Sequence, residues 1–201
     1  MPTRSAAEKN TIAGPECLLT AADRGALLAL ARCAIDATLA GDPEPQLPDI
    51  PAAMQRRGAF VSLHASGGGL RGCIGHVNGD RPLGEVIRRV AVSAAQSDPR
   101  FPPVMREELS YLRIEISVLS DLVRVATADR CRLVIGRDGL LVRNGRAQGV
   151  LLPQVATEQG FGPEAFLNAV CRKAGLAPTS WREPATRVFT FTADVFDECP
   201  L

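Results

Sequence analysis

Apolar residues recur along this chain with two periods, and the switches between them mark out its elements. Leu27, Leu30, Ala31, Ala34 and Ile35 fall at helical spacing. Thr20 precedes them as a capping residue with Asp23 at the third position, and Gly41 closes the run. A second helical stripe runs through Leu83, Val86, Ile87, Val90, Ala91 and Ala94, with Pro82 suited to its first turn. It stops at Ser97-Asp98-Pro99, because a residue before proline avoids the helical region. A third predicted helix covers Pro163 to Ala174, closed by Gly175, and a short one covers Pro153 to Gln159. Period-two patterns predict strands at Ala59 to Ala65, Leu70 to Ile74, Leu112 to Val118, Leu133 to Ile135, Leu140 to Arg143, Ala147 to Leu152 and Arg187 to Ala193. Ser66-Gly67-Gly68-Gly69 and Asn144-Gly145 read as hairpin turns. The stretch Asp42 to Pro51 holds four prolines in ten residues and reads as an extended connector.

Strand pairs interleaved with helices, without a repeating βαβ unit, predict an α+β fold with an antiparallel sheet flanked by helices. At 201 residues the chain can bury a substantial core. Met1 to Pro15 reads as a disordered leader without the apolar core of a signal peptide. No apolar run approaches the roughly 20 residues of a membrane span, and cytoplasm is the expected location. The net charge is +1, and aromatics, 4% of residues, do not interleave with a basic stripe, so nothing points to nucleic acid. The six cysteines, at 17, 33, 73, 131, 171 and 199, include no close pair. Cys33 and Cys171 fall within apolar helical patterns and read as small buried hydrophobes. Two histidines and no C-x-x-C give no visible metal site, and no cofactor is expected.

The densest chemistry lies in Leu70-Arg71-Gly72-Cys73-Ile74-Gly75-His76. Strand alternation puts Arg71, Cys73 and Gly75 on one face and Leu70 and Ile74 on the other, packed behind. A cation beside a thiol favours the thiolate, the reactive form. Gly72 and Gly75 would leave the sulfur open to approach. The plain alternative is a packed strand cysteine. His76 could serve as an acid/base partner only if the strand ends or bends at Gly75, since residues three apart otherwise face opposite ways. His64, on the preceding strand, reads as a cross-strand packing residue. Arg71 could bind a carboxylate or phosphate with its fork, or simply pair with a carboxylate of the protein. Gly67, Gly69 and Gly72 fit G-x-G-x-x-G, but a hairpin turn running into a strand is not the phosphate-binding context.

Leu70-Arg71-Gly72-Cys73-Ile74-Gly75 resembles the hexapeptide of the AMMECR family, whose bacterial members include the A component of the AmmeMemoRadiSam system. The resemblance extends in family order. It takes in Gly58-Ala59-Phe60-Val61, Arg81-Pro82-Leu83, Asp98-Pro99-Arg100-Phe101-Pro102-Pro103 and Glu115-Ile116-Ser117-Val118-Leu119. Leu152-Pro153-Gln154-Val155 and Cys171-Arg172-Lys173-Ala174-Gly175-Leu176 follow. It implies one AMMECR-type domain over residues 16–198, built as two closely packed lobes with a cleft between them. The hexapeptide strand, the Asp98 to Pro103 loop and the Leu152 to Gln154 turn would line that cleft. Cys73, His76 and Asp98 are then the candidate catalytic residues, and Arg71, Gly72, Gly75, Arg100 and Gln154 the candidate substrate contacts. The family's reaction is not established. The expected reading is an enzyme with Cys73 as thiolate nucleophile or ligand and Arg71 as the group that binds a small anion, or else a non-catalytic ligand- or protein-binding component. Bacterial relatives commonly occur beside genes for a Memo-like protein and a radical SAM enzyme, which implies them as partners. With no three-cysteine cluster motif here, radical chemistry would lie with the partner.

Overall fold

The computed structural model describes residues 19–198; the leader Met1 to Pro15, Cys17 and Cys199 lie outside the described residues. The elements run α1 (Ala21–Ala40), α2 (Pro51–Met54), β1 (Ala59–Ala65), β2 (Leu70–His76), α3 (Leu83–Gln96), β3 (Leu112–Leu119) and β4 (Val123–Val125). They continue with β5 (Gly139–Asn144), β6 (Ala147–Leu151), α4 (Pro153–Glu158), α5 (Pro163–Lys173), β7 (Arg187–Phe191) and β8 (Ala193–Asp197). Two antiparallel four-stranded sheets result, the first in the order β2-β1-β3-β8 and the second β4-β7-β5-β6. The fold is α+β, as the periodicities predict.

The Thr20 side chain caps α1 and Asp23 returns the bond to the Thr20 N–H, a complete capping box that satisfies two otherwise orphaned donors. The apolar stripes of α1 and α3 lie on the first sheet. Leu27, Ala31 and Ile35 meet Leu83, Ile87 and Ala91, and these meet Val61, Leu63, Ile114, Ile116 and Val118. Burying each of the larger side chains stabilises by about 1.5–3 kcal/mol. The second sheet has its own core, where Leu140, Val142, Leu151 and Val188 pack on Phe166, Leu167, Val170 and Trp181. A third cluster joins the sheets: Leu119, Leu141 and Phe191, with Phe60, Val77, Leu152 and Phe189 around them.

Three sequence expectations change. Leu133 to Ile135 is not a strand; the Asp138 carboxylate accepts from the Val134 N–H at 2.9 Å and folds this stretch into a turn. Arg187 to Ala193 is not one strand but the junction of two. The chain leaves the second sheet at Phe191 and enters the first at Ala193, with Thr192 bonded to Ser120 in the β3–β4 connection, where the chain also passes between the sheets. Cys33 is exposed rather than buried, because it sits on the outer side of α1, off the Leu27–Leu30–Ala34 stripe; Cys131 is exposed as well, and Cys171 is buried. The short strands β4 and β8 carry only three and five residues, and they take their places through pairing with β7 and β3.

Candidate functional site

The site begins with the edge position of β2. In the β1–β2 pair Cys73 stands opposite Ser62. The Cys73 N–H points outward, away from β1, so this is the kind of pair whose side chains approach most closely. Ser62 Oγ donates to Cys73 Sγ at 3.1 Å. A loop takes the place of a neighbouring strand. The Asp98 carboxylate accepts the Cys73 N–H at 2.8 Å, and Arg100 Nη2 donates to the Cys73 carbonyl at 3.2 Å. Both backbone groups of Cys73 are satisfied, which closes a sheet edge that would otherwise invite pairing.

Asp98 is the buried anchor of this loop, with its side chain 2% exposed. It accepts from Arg100 Nε at 2.9 Å, Arg100 Nη2 at 2.7 Å and the Arg100 N–H at 3.1 Å. The guanidinium of Arg100, helped by these backbone donors, holds the Asp98 carboxyl well below the usual carboxylate range. Asp98 is thus ionised, and its oxygens are occupied. It positions the thiol and has no proton to hand over, which corrects its expected acid/base role. Asp98 in turn raises the Arg100 pKa, and the Cys73 side chain adds to the rise. The cation beside Cys73 is therefore Arg100, which also stacks on Phe101 at 5.4 Å.

Arg71 shares the strand face of Cys73, as alternation predicts, but its donors are used. Nε and Nη2 meet Glu108 at 2.9 and 3.1 Å, and Nη1 donates to the Pro102 carbonyl at 2.9 Å. Arg71 lowers the Glu108 pKa and fastens the proline loop to β2. An anion at Arg71 would have to displace Glu108. His76 lies on the opposite face of the strand, with Nε2 bonded to Asp80 Oδ1 at 2.5 Å. The strand continues through Gly75 without turning, so His76 is not a partner for the sulfur.

The motif glycines are explained by packing. A Cβ at Gly72 would lie 2.2 Å from the Ala94 carbonyl oxygen of α3. A Cβ at Gly75 would lie 2.2 Å from the Phe60 ring. Each is small because a neighbour crosses close above it, and neither leaves space for a ligand at its own α-carbon. Leu70, expected to pack behind, is 41% exposed, and Ile74 alone packs on the core. Gln154 sits half-buried at the start of α4, in the layer that covers the second sheet, and joins none of the hydrogen bonds around Cys73.

Register brings in residues that sequence reasoning passed over. Ser62 faces Cys73 on one side and Glu115 on the other, and Glu115 faces Asp197. His64, two residues along β1, points the same way, with Nε2 3.8 Å from Glu115 Oε2. That nitrogen is buried and has no hydrogen-bond partner. Arg113 pairs with Asp197 on this face. Thiol, hydroxyl, imidazole and carboxylate thus share one side of the first sheet. The available signal was the alternation of Ser62-His64 and Arg113-Glu115-Ser117 against their apolar neighbours. Among the described residues no three histidine, cysteine or acidic side chains gather closely enough to hold a metal ion. No helix among them is long and apolar enough to cross a membrane.

The AMMECR1 family model matches residues 28–196. The chain belongs to the AMMECR1 family. A Methanothermobacter thermautotrophicus protein is 47% identical over 178 residues, covering 86% of this chain and 92% of the relative. A Pyrococcus furiosus protein is 41% identical over 181 residues, covering 86% of each. The crystal structure of an uncharacterized Pyrococcus horikoshii protein superposes with a TM-score of 0.80 at 40% identity, covering 86% of this chain and 89% of that one.

Proposed function

We propose that this AMMECR1-family protein acts on a small anionic molecule at Cys73, with the thiolate as nucleophile. The observation that carries the reading is the clamp on Cys73, whose N–H is held by Asp98 and whose carbonyl is held by Arg100. The clamp closes the sheet edge, and it does so at the one residue of β2 that carries a thiol. Fixed backbone, a hydroxyl donor on the sulfur and a half-exposed guanidinium beside it are the parts of an oriented nucleophile. Arg100 takes the anion-recognising role first assigned to Arg71. Both guanidiniums are paired, Arg100 with Asp98 and Arg71 with Glu108, but the Arg100 side chain is 54% exposed against 15% for Arg71. Proton handling falls to His64 and Glu115, which share the thiol's face. Memo-like and radical SAM proteins are the proposed partners, on the strength of the gene neighbourhood of bacterial relatives.

A second reading, a non-catalytic binding component, has one observation in its favour. Leu70, Met105 and Tyr111 are 41, 61 and 70% exposed, the Met105 N–H donates to Glu108 and Ser66 Oγ to the Tyr111 carbonyl, and these apolar side chains offer a contact for another protein.

Site-resolved alkylation separates the two. Iodoacetamide should label Cys73 faster than the exposed Cys33 and Cys131 at neutral pH, and Arg100→Gln should slow Cys73 alone. Buried Cys171, whose thiol pKa is raised by burial, should stay unlabelled until unfolding. Labelling of Cys73 at or below the rate of Cys33 and Cys131 would remove the nucleophile and leave the binding component.

A further inference from the structure

The strand that carries Cys73 has another face with its own chemistry. Ile74 and His76 point toward α3, where with Arg81, Arg89, Val90 and Ser93 they line a cavity of about 160 Å³. Arg81 and Arg89 also border an adjoining hollow of about 270 Å³ between α1 and α3.

Both arginines lack a hydrogen-bonded or ion-paired partner, and of the described arginines in that state these two line the cavity. Arg88, one position away, is held by Glu44 at 3.2 Å and by the Pro45 carbonyl at 3.0 Å. Arg56 donates to the Asp80 carbonyl, Arg57 faces Asp121, Arg71 is on Glu108 and Arg100 on Asp98. Arg81 and Arg89 make no guanidinium hydrogen bond and no ion pair among the described residues. Asp80 is bonded by His76 at 2.5 Å, which together with the more distant Arg81 lowers its pKa. Glu44 and Glu85 lie in the larger hollow, and no carboxylate lines the smaller cavity. Two like charges over one small cavity repel each other, and a single oxyanion relieves both through charge-assisted hydrogen bonds. Beneath them Ile74, Val86 and Val90 form the apolar part of a lining that also holds His76 and Ser93. Val86 and Val90 are nearly buried, and Ile74 packs beside them on the core.

We infer that this cavity binds a small organic oxyanion, a carboxylate or phosphate ester on a short aliphatic stem. Arg81 and Arg89 hold its charge, and Ile74, Val86 and Val90 take its stem. The volume lies below the roughly 300 Å³ at which drug-sized sites begin, which restricts the ligand to a few carbons. The sheet stands between this cavity and the Cys73 sulfur, so a ligand here is not the reactant at the thiol. It is an effector or a recognition element seated on the reverse of the same strand. The inference does not depend on the reading of Cys73.

Isothermal titration and thermal shift of the full chain with acetate, butyrate and inorganic phosphate, at constant ionic strength, test it. Saturable binding is expected, with butyrate several-fold tighter than acetate. Arg81→Gln combined with Arg89→Gln should weaken butyrate and phosphate binding by about tenfold or more. Circular dichroism should show the variant folded, and Cys73 alkylation should not change. Absence of saturable binding at millimolar probe, equal binding by the double variant, or butyrate no tighter than acetate would each overturn it.

Discussion

The two sheets have four strands each and a helical layer on one face, and they differ in what covers the other face. The second sheet is apolar on both sides. Leu140 and Val142 face α5, while Leu141 between them faces the first sheet, so β5 reads as an unbroken apolar run. The first sheet alternates. Leu112, Ile114, Ile116 and Val118 face the helices, and Arg113, Glu115 and Ser117 face away. Only at its Phe60 and Leu119 end does the outward face turn apolar, where the second sheet meets it. The sheet buried on both sides supplies rigidity and the contact surface. The sheet with a polar face carries Cys73, Ser62, His64 and Glu115, and the loop that bears Asp98 and Arg100 closes its edge.

The sharpest way to break this contrast is a pair of truncations at matched positions. Leu141→Ala, on the outward face of the second sheet, should cost about 2–5 kcal/mol in urea unfolding, as any fully buried leucine does. Arg113→Ala, on the outward face of the first, should cost about 1 kcal/mol or less, since its pair with Asp197 is partly exposed. Similar costs for the two would mean that the faces are not different in kind.

Next in size is Gly72→Ala, which drives a methyl group into the Ala94 carbonyl and should destabilise by about 1–3 kcal/mol. Gly75→Ala meets the Phe60 ring instead and should be partly rescued by Phe60→Leu, whereas Gly72→Ala should not. Melting temperatures of the single and double variants decide this. If the substitutions are tolerated, the motif glycines serve a ligand after all.

A smaller effect sharpens the electrostatic side. Asp98 has its folded pKa depressed, so it stabilises the fold above the ordinary carboxylate range near pH 4. That contribution is lost as pH falls from there toward the folded value. Asp98→Asn should cost about 1–2 kcal/mol at pH 7, a modest sum because Arg100 is half exposed, and should flatten the loss of stability between pH 5 and pH 2. Unfolding midpoints across that range check it. An unchanged pH dependence would make the clamp around Cys73 incidental.

Local signals are what a sequence carries well. The stripe of α3, the capping box at Thr20, the turn at Ser66 to Gly69 and the alternation of β3 each depend on residues a few positions apart, and each is legible. So is the family, and so is Cys73 as the centre of interest. Asp98 and Arg100 were reached through the family resemblance, but their backbone clamp on Cys73 and the contact with Ser62 were not legible, because they depend on strand register and loop course, not spacing. Arg71 and Arg100 look alike as cations in sequence. Each has its own carboxylate, Glu108 for Arg71 and Asp98 for Arg100, and only the fold shows that the Asp98 pair is the one that holds Cys73. The split of Arg187 to Ala193 between two sheets was equally hidden, since alternation continues across Thr192 while the hydrogen-bonding partners change. By itself the sequence determined most of the helix and strand segments and where groups of reactive type lie along the chain, because periodicity and residue chemistry are local. Tertiary structure alone decided which charges are spent and which remain open, because a charge is neutralised by whatever lies beside it in space.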